Sequence, residues 1–148
     1  METPAGSFRL LLVEDDRDDV LFFQRALAKR GQRCPLSVVT DGEEAIAYLS
    51  GAGPYADREL HPLPTHVVLD LKLPKKSGLE VLAWMRSRPE LARVPAAILS
   101  SSAQGNDVNQ AGDLGIDRYW IKPVSFKDLL PLVDRISEWM SSPAEWQA

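Results

Sequence analysis

Five short apolar segments alternate along this chain with longer stretches in which apolar residues recur at helical spacing. Continuous apolar runs without polar alternation are typical of parallel strands that are buried on both faces, so we predict a strand at each segment. The predicted strands are residues 8–13, 36–39, 66–69, 95–100 and 119–121. Strands that alternate with helices predict an α/β fold, a doubly wound five-stranded parallel sheet with five helices and right-handed crossovers.

Capping residues mark where four of the five helices begin. Each is followed three residues later by an acidic residue that can complete the helix N-terminus. These pairs are Asp16 with Asp19, Asp41 with Glu44, Ser77 with Glu80, and Ser125 with Asp128. The fourth helix, at about 106–114, is weak because it contains glycine and asparagine, and it carries the apolar residues Val108, Ala111 and Leu114. Residues 51–64 are predicted to form a long, exposed loop.

Polar residues stand where the predicted strands end. Glu14 and Asp15 follow the first strand, Asp70 follows the third, Ser100 ends the fourth, and Lys122 follows the fifth. The carboxyl ends of parallel strands meet at one edge of the sheet, and open α/β folds bind ligands in the crevice at that edge. We therefore expect these five side chains to lie close together.

The chemistry of this set points to phosphoryl transfer. Three neighbouring carboxylates repel one another and, when ionised, need a cation. Oxygen ligands without histidine or thiolate favour Mg²⁺. A lysine at the same edge can pair with an incoming anion, and a serine hydroxyl can donate a hydrogen bond to it. Together these are the groups needed to accept a phosphoryl group on a carboxylate as an acyl phosphate.

Composition and charge limit the number of domains, the classes of partner and the cellular compartment that we expect. The 148 residues predict one domain. The formal charge of −4 argues against nucleic acid or an anionic membrane as a partner. The single cysteine, Cys34, rules out an internal disulfide and fits a reduced cytoplasmic compartment. No signal peptide or membrane span is expected.

Four segments carry a resemblance to a known family. They are LLVEDD, VVLDLKLPKKSG, PAAILSSSA and YWIKP, in this order and at successive strand ends. Over about 8–140 the chain resembles the receiver domain of two-component response regulators. This resemblance implies the flavodoxin-like strand order 2-1-3-4-5. The VED start, the DLKLPKKSG run and the proline-bearing loop are most similar to the stand-alone regulators of bacterial phytochromes.

The resemblance implies a role for individual residues around the metal and the phosphoryl group. Asp70 matches the phosphoacceptor, and Glu14 and Asp15 match the acidic pair that holds Mg²⁺. The backbone carbonyl of Lys72 matches the third protein ligand of the metal. Lys122 matches the lysine that contacts the phosphoryl oxygens. Glu14 departs from the family pattern, because many receivers have aspartate at that position.

The resemblance also assigns a conformational switch beside the acceptor. Ser100, in place of the commoner threonine, matches the hydroxyl that moves to the phosphoryl group, and Tyr119 matches the aromatic residue whose rotamer follows it. The bond between Lys122 and Pro123 is expected to be cis, a form that X–Pro bonds adopt at low cost. Lys72 and Ser102 are expected to flank the path of the hydrolytic water.

These roles imply a stand-alone response regulator, a single receiver domain with a core at about 8–140, a tail at 141–148 and no output domain. It would accept a phosphoryl group on Asp70 from a sensor histidine kinase, with a bacterial phytochrome as the candidate, and would signal by protein contact or phosphorelay. It would assist its own phosphorylation and dephosphorylation without being an enzyme. Large apolar residues on the fifth strand, last helix and tail either fold back on the domain or form a self-association face, and we favour a homodimer. They are Trp120, Trp139, Met140 and Trp146.

Two other functions compete with this interpretation. A degenerate receiver would act as a phosphorylation-independent interaction module, and it ranks second because every essential group is present. A phosphatase of the haloacid-dehalogenase type also begins with an aspartate after a strand. That chemistry needs a second aspartate two positions later as general acid and base, and Lys72 stands there instead.

Overall fold

The computed structural model describes residues 8–101 and 104–142 as one sheet covered by helices. The strands are β1 (Leu10–Val13), β2 (Leu36–Val39), β3 (His66–Leu69), β4 (Ala96–Ser100) and β5 (Arg118–Ile121). The helices are α1 (Arg17–Lys29), α2 (Gly42–Ser50), α3 (Gly78–Ser87), α4 (Gly105–Asp113) and α5 (Phe126–Ser141), and a short 3₁₀ turn lies at Gly53–Tyr55. Each predicted strand and helix is therefore present, with ends that differ by one or two residues.

All strands pair in parallel in the order β2-β1-β3-β4-β5, which confirms the predicted flavodoxin-like topology. In this register Val13 pairs with both Val39 and Leu69, so three strands end at the same level. Backbone hydrogen bonds continue one residue further. The N–H of Glu14 donates to Val39 at 3.0 Å, and the N–H of Asp70 donates to Val13 at 3.0 Å. The residues after β1 and β3 are thus fixed side by side.

Hydrophobic clusters cover both faces of the sheet. Leu11 and Val13 face a cluster formed with α2, α3 and α4, and Leu10 and Leu12 face a cluster formed with α1 and α5. Successive side chains of a strand point to opposite faces, so a strand that is buried on both must be apolar at every position. This is the physical reason for the continuous apolar runs.

The predicted caps are present at the helix starts. The carboxylate of Asp16 accepts hydrogen bonds from the N–H groups of Asp18 and Asp19, and Ser77 and Glu80 form a reciprocal capping box. The N-cap position of α4, Gln104, makes no side-chain capping hydrogen bond.

The apolar residues predicted for α4 differ in their burial. Ala111 is buried, and Leu114, just after the helix, packs against the cluster on the α2, α3 and α4 face. Val108 is exposed. The spacing of the three residues did not decide which of them would reach the core.

The loop at 51–64 is exposed at seven of its fourteen residues, as predicted, and it is also attached to the domain. The guanidinium of Arg58 donates to the backbone carbonyls of Tyr48 and Leu49, at the end of α2, at 2.8 Å and 3.0 Å. The hydroxyl of Tyr48 donates to the carbonyl of Pro62 at 2.9 Å. Only parts of the loop reach far into solvent, such as Leu60, which is 73% exposed.

The apolar residues at the end of α5 pack back onto the domain. Trp139 and Met140 are buried, and the Trp139 ring lies edge-on to Trp120 and to His66 at centroid distances of 5.7 Å and 4.8 Å. Trp146 and the rest of the predicted tail from 143 lie outside the described residues. Among the residues that are described, no helix is both long and apolar enough to span a membrane.

Candidate functional site

Three carboxylates surround one ammonium group at the carboxyl edge of the sheet. The Nζ atom of Lys122 lies 2.7 Å from Glu14 Oε1, 2.8 Å from Asp70 Oδ2 and 3.0 Å from Asp19 Oδ2. The backbone N–H of Lys122 donates to the carbonyl of Ser100 at 2.9 Å, which fixes the lysine at the end of β5. The sheet therefore brings together the strand ends that the sequence pattern predicts.

Burial makes these charges strongly dependent on one another. Glu14 is 3% exposed and Asp70 is 7% exposed. Burial raises the pKa of Glu14 to about 7, although hydrogen bonds from Lys122 and the Asp16 N–H oppose this shift. Burial alone would lower the pKa of Lys122, but hydrogen bonds to Asp70, Glu14 and Asp19 outweigh it and raise that pKa above its ordinary value. The lysine is therefore held in its charged form.

Carboxylate oxygens of Glu14, Asp15 and Asp70 lie within 4.8 Å of one another and could hold a metal ion. Glu14 and Asp70 are buried, whereas Asp15 is exposed, so the group opens to solvent on one side. Hard oxygen donors without histidine or thiolate fit Mg²⁺, which keeps several waters and needs few protein ligands. The acidic group could therefore hold a metal ion that prefers oxygen ligands.

Lys72, the fourth predicted metal ligand, lies in the loop after β3. Its backbone N–H donates to Asp70 Oδ1 at 3.2 Å. Because Lys122 contacts the other oxygen of the same carboxylate, the orientation of the Asp70 side chain is fixed from both sides.

The two predicted switch residues lie on the strands next to the acidic group. Ser100 is fully buried at the end of β4 and pairs with Ile121 of β5. Tyr119 pairs with Ile98 and is half-buried against the cluster on the α2, α3 and α4 face. Ser102 lies outside the described residues.

The structure corrects the expectation that the bond between Lys122 and Pro123 is cis. The residues that the structure describes contain no cis peptide bond, so this bond is trans. The trans form is the lower-energy isomer of an X–Pro bond by about 0.5–1 kcal/mol.

Two residues at this edge went unrecognised in the sequence. Asp19 matched a helix-capping pattern, yet its carboxylate contacts Lys122. Gly78 begins α3, and a Cβ atom at that position would lie 2.1 Å from the backbone oxygen of Asp70. Glycine therefore lets the start of α3 pack directly on the backbone of Asp70, at the carboxyl edge of the sheet. For Asp19 the available signal was its place in the first turn of α1, shortly after the acidic residues that follow β1.

Comparisons with known proteins agree with this geometry. Residues 10–134 match the family model described as the response regulator receiver domain. Response regulator Rcp1 of Synechocystis sp. is 37% identical over 134 residues, which cover 90% of this chain and 89% of Rcp1.

Solved structures give the same result. The phosphorylated cyanobacterial phytochrome response regulator RcpA matches with a TM-score of 0.84 and 38% identity, over 91% of this chain and 94% of that one. The Mn²⁺-bound form of response regulator Rcp1 matches with a TM-score of 0.82 and 34% identity, over 95% and 99%. In each pair the similarity extends over most of both chains.

Proposed function

The chain belongs to the response regulator receiver domain family, and from this premise we propose that Asp70 accepts a phosphoryl group in a Mg²⁺-dependent reaction. One observation carries the proposal. The Asp70 carboxylate lies 2.8 Å from the Lys122 ammonium and within 4.8 Å of the carboxylate oxygens of Glu14 and Asp15. The acceptor, its cation and the ligands for a metal are thus within reach of one another.

In the proposed reaction, an oxygen of Asp70 attacks the phosphorus atom of a phosphohistidine in line. The new O–P bond forms as the N–P bond breaks, and the imidazole nitrogen leaves with the electron pair. Glu14, Asp15, Asp70 and the carbonyl of Lys72 would hold Mg²⁺, which supplies positive charge to the phosphoryl oxygens when bound. The Lys122 ammonium stabilises the same developing negative charge from its place beside Asp70.

We propose that the acyl phosphate then repositions the switch residues. The Ser100 hydroxyl donates a hydrogen bond to a phosphoryl oxygen, and Tyr119 on the neighbouring strand adjusts with it. Such a change acts as a population shift, because the phosphorylated state makes contacts that the free state lacks. Water later hydrolyses the acyl phosphate. We propose that the protein assists both its own phosphorylation and its own dephosphorylation, and that it does not turn over a separate substrate as an enzyme does.

The proposed phosphoryl donor is a sensor histidine kinase. Exposed apolar side chains border the acidic edge, including Phe22 on α1 and Val124 in the loop before α5, and Phe22 packs edge-on to Phe126. An apolar surface beside a reactive group suits a protein partner. RcpA is a phytochrome response regulator, so we propose a phytochrome-type kinase. Cys34 is a buried free cysteine, in keeping with a reducing cytoplasm as the proposed compartment.

We propose that the output is protein contact or phosphorelay, with a homodimer formed through β5 and α5. β5 is an edge strand, and Ile121 on it is 47% exposed. Ile121→Glu should lower the mass measured by light scattering to that of a monomer, while Leu60→Glu, a matched change on the distant loop, should leave it unchanged. A wild type that stays monomeric with and without phosphoryl donor refutes the dimer.

The phosphorylation test uses acetyl phosphate and intact mass. We expect a phosphate-sized gain for the wild type with Mg²⁺, and for Asp113→Asn, which alters an exposed aspartate on α4. Asp70→Asn, and the wild type with chelator, should show no gain. A gain in Asp70→Asn would contradict the assignment of the acceptor. A wild type that gains no phosphate and binds no Mg²⁺ would support the degenerate receiver.

A further inference from the structure

The Lys122 ammonium has three carboxylate partners, and they come from three different elements. Glu14 follows β1, Asp70 follows β3, and Asp19 lies in the first turn of α1. An ammonium has three N–H donors, and each can be matched here by an oxygen within 3.0 Å. The lysine is therefore anchored to a helix as well as to the sheet.

Only two of these partners belong to the acidic group that could hold a metal. That group consists of Glu14, Asp15 and Asp70, and Asp19 is outside it. A divalent cation bound to the group would repel the nearby ammonium and would share the same carboxylate charge. Lys122 would then keep weaker contacts with Glu14 and Asp70. The carboxylate of Asp19 is the partner for which no cation competes.

The position of Asp19 is set by its helix rather than by the ion pair. Its backbone N–H donates to the Asp16 carboxylate at 3.1 Å, so the start of α1 fixes the Cα of Asp19. Its side chain is 42% exposed, so little desolvation opposes its negative charge. A short carboxylate on a fixed backbone suits the task of holding a long, flexible lysine in one place.

From these contacts we infer that Asp19 is a positioning residue, which holds the Lys122 ammonium beside Asp70 when a divalent cation and a phosphoryl group enter the site. This inference rests on the proposed function. Without Asp19, the lysine has no partner that is independent of the metal, and it spends less time where it can meet the phosphoryl oxygens.

The test compares rates of phosphorylation by acetyl phosphate in saturating Mg²⁺, because a small donor avoids any effect on kinase docking. Asp19→Asn keeps the shape of the side chain and removes its charge. We expect the rate to fall about tenfold, the loss of one charge-assisted hydrogen bond. Asp18→Asn is the matched control, because it removes the same charge from the same exposed helical turn, and it should stay within about twofold of the wild type.

A second pair of variants separates positioning from a general structural role. In a Lys122→Ala background, Asp19→Asn should have no further effect on the rate, because the group that it positions is absent. An equal fold-loss in that background would overturn the inference. So would a rate for Asp19→Asn that equals that of Asp18→Asn. A wild type that takes up no phosphate would instead refute the proposed function, and with it the role of Asp19 in it.

Discussion

Replacing Lys122 with methionine tests how the site balances its charges. The change keeps an apolar side chain of similar length and removes the ammonium that lies within 3.0 Å of three carboxylates. Glu14 and Asp70 then remain buried next to each other without a compensating cation. The protein should be less stable when metal is absent and should gain more from Mg²⁺ than the wild type gains.

The expected loss of stability in Lys122→Met follows from the burial of the charges around this lysine. Removing one partner of a buried ion pair costs about 3–5 kcal/mol. The side chain of Lys122 is 19% exposed and that of Asp19 is 42% exposed, so solvent screens part of the loss. Glu14 can also take up a proton, because burial already raises its pKa to about 7. We therefore expect the free energy of unfolding to fall by about 2–3 kcal/mol at about pH 8, and by less at about pH 6.

The pH dependence has a definite sign. The ordinary pKa of Glu14 is 4.5, and its folded value is about 7, so between these values the folded state binds the proton that the unfolded state releases. Stability from this group is complete at low pH and is lost as the pH rises through 7. Loss of Lys122 removes a hydrogen bond that lowers the pKa of Glu14, so the variant should depend on pH more steeply.

Urea unfolding, with chelator and with Mg²⁺ at two pH values, measures these differences. Lys127→Met, which alters an exposed lysine in the first turn of α5, is the matched control and should change stability by less than about 0.5 kcal/mol. Mg²⁺ should stabilise Lys122→Met more than the wild type, because ammonium and metal compete for the same carboxylates. Equal stability of wild type and Lys122→Met in chelator, or a smaller gain from Mg²⁺ in the variant, would refute this reasoning.

Two further predictions concern residues around the site and the sheet. Burial lowers the pKa of His66 from 6.5 to about 4, so between these values the unfolded state binds the extra proton and stability rises with pH. The unfolding free energy of the wild type minus that of His66→Phe should therefore increase over this range by at most about 3 kcal/mol in urea titrations, and a flat difference would exclude the shift. Gly78→Ala would place its Cβ atom 2.1 Å from the Asp70 oxygen and should cost about 1–3 kcal/mol, whereas Gly112→Ala, with open space around it, should be neutral or stabilising. Equal urea midpoints for the two alanine variants would contradict the close approach.

Much of the fold could be predicted from the sequence, because the residue pattern that each strand shows is also the pattern that the packed sheet requires. The apolar runs of β1 and β3 are continuous because helices cover both faces of the sheet. Parallel register then brings the residues after the strands to one edge, so Glu14, Asp70 and Lys122 were predicted as neighbours and lie in contact. Here the parallel direction of the strands and the residue types at their ends were sufficient.

Other features depend on contacts that periodicity does not encode. Asp19 satisfies a capping pattern, and its long-range contact with Lys122 depends on where the fold places the first turn of α1 relative to the residue after β5. Arg58 attaches the loop at 51–64 to the end of α2, which the glycine and proline content of the loop did not indicate. Val108 and Ala111 are three residues apart on α4, yet Ala111 is buried and Val108 is exposed. In each case a tertiary contact decides the outcome.

The central claim is that the acyl phosphate forms on Asp70, and chemical mapping tests it most directly. The protein is incubated with acetyl phosphate and Mg²⁺, reduced with borohydride, which converts an aspartyl phosphate to homoserine, and analysed by peptide mass spectrometry. We predict homoserine at position 70 alone, and only in samples that contained Mg²⁺. Homoserine at Asp15 or Asp19, or the same product with chelator present, would contradict the account.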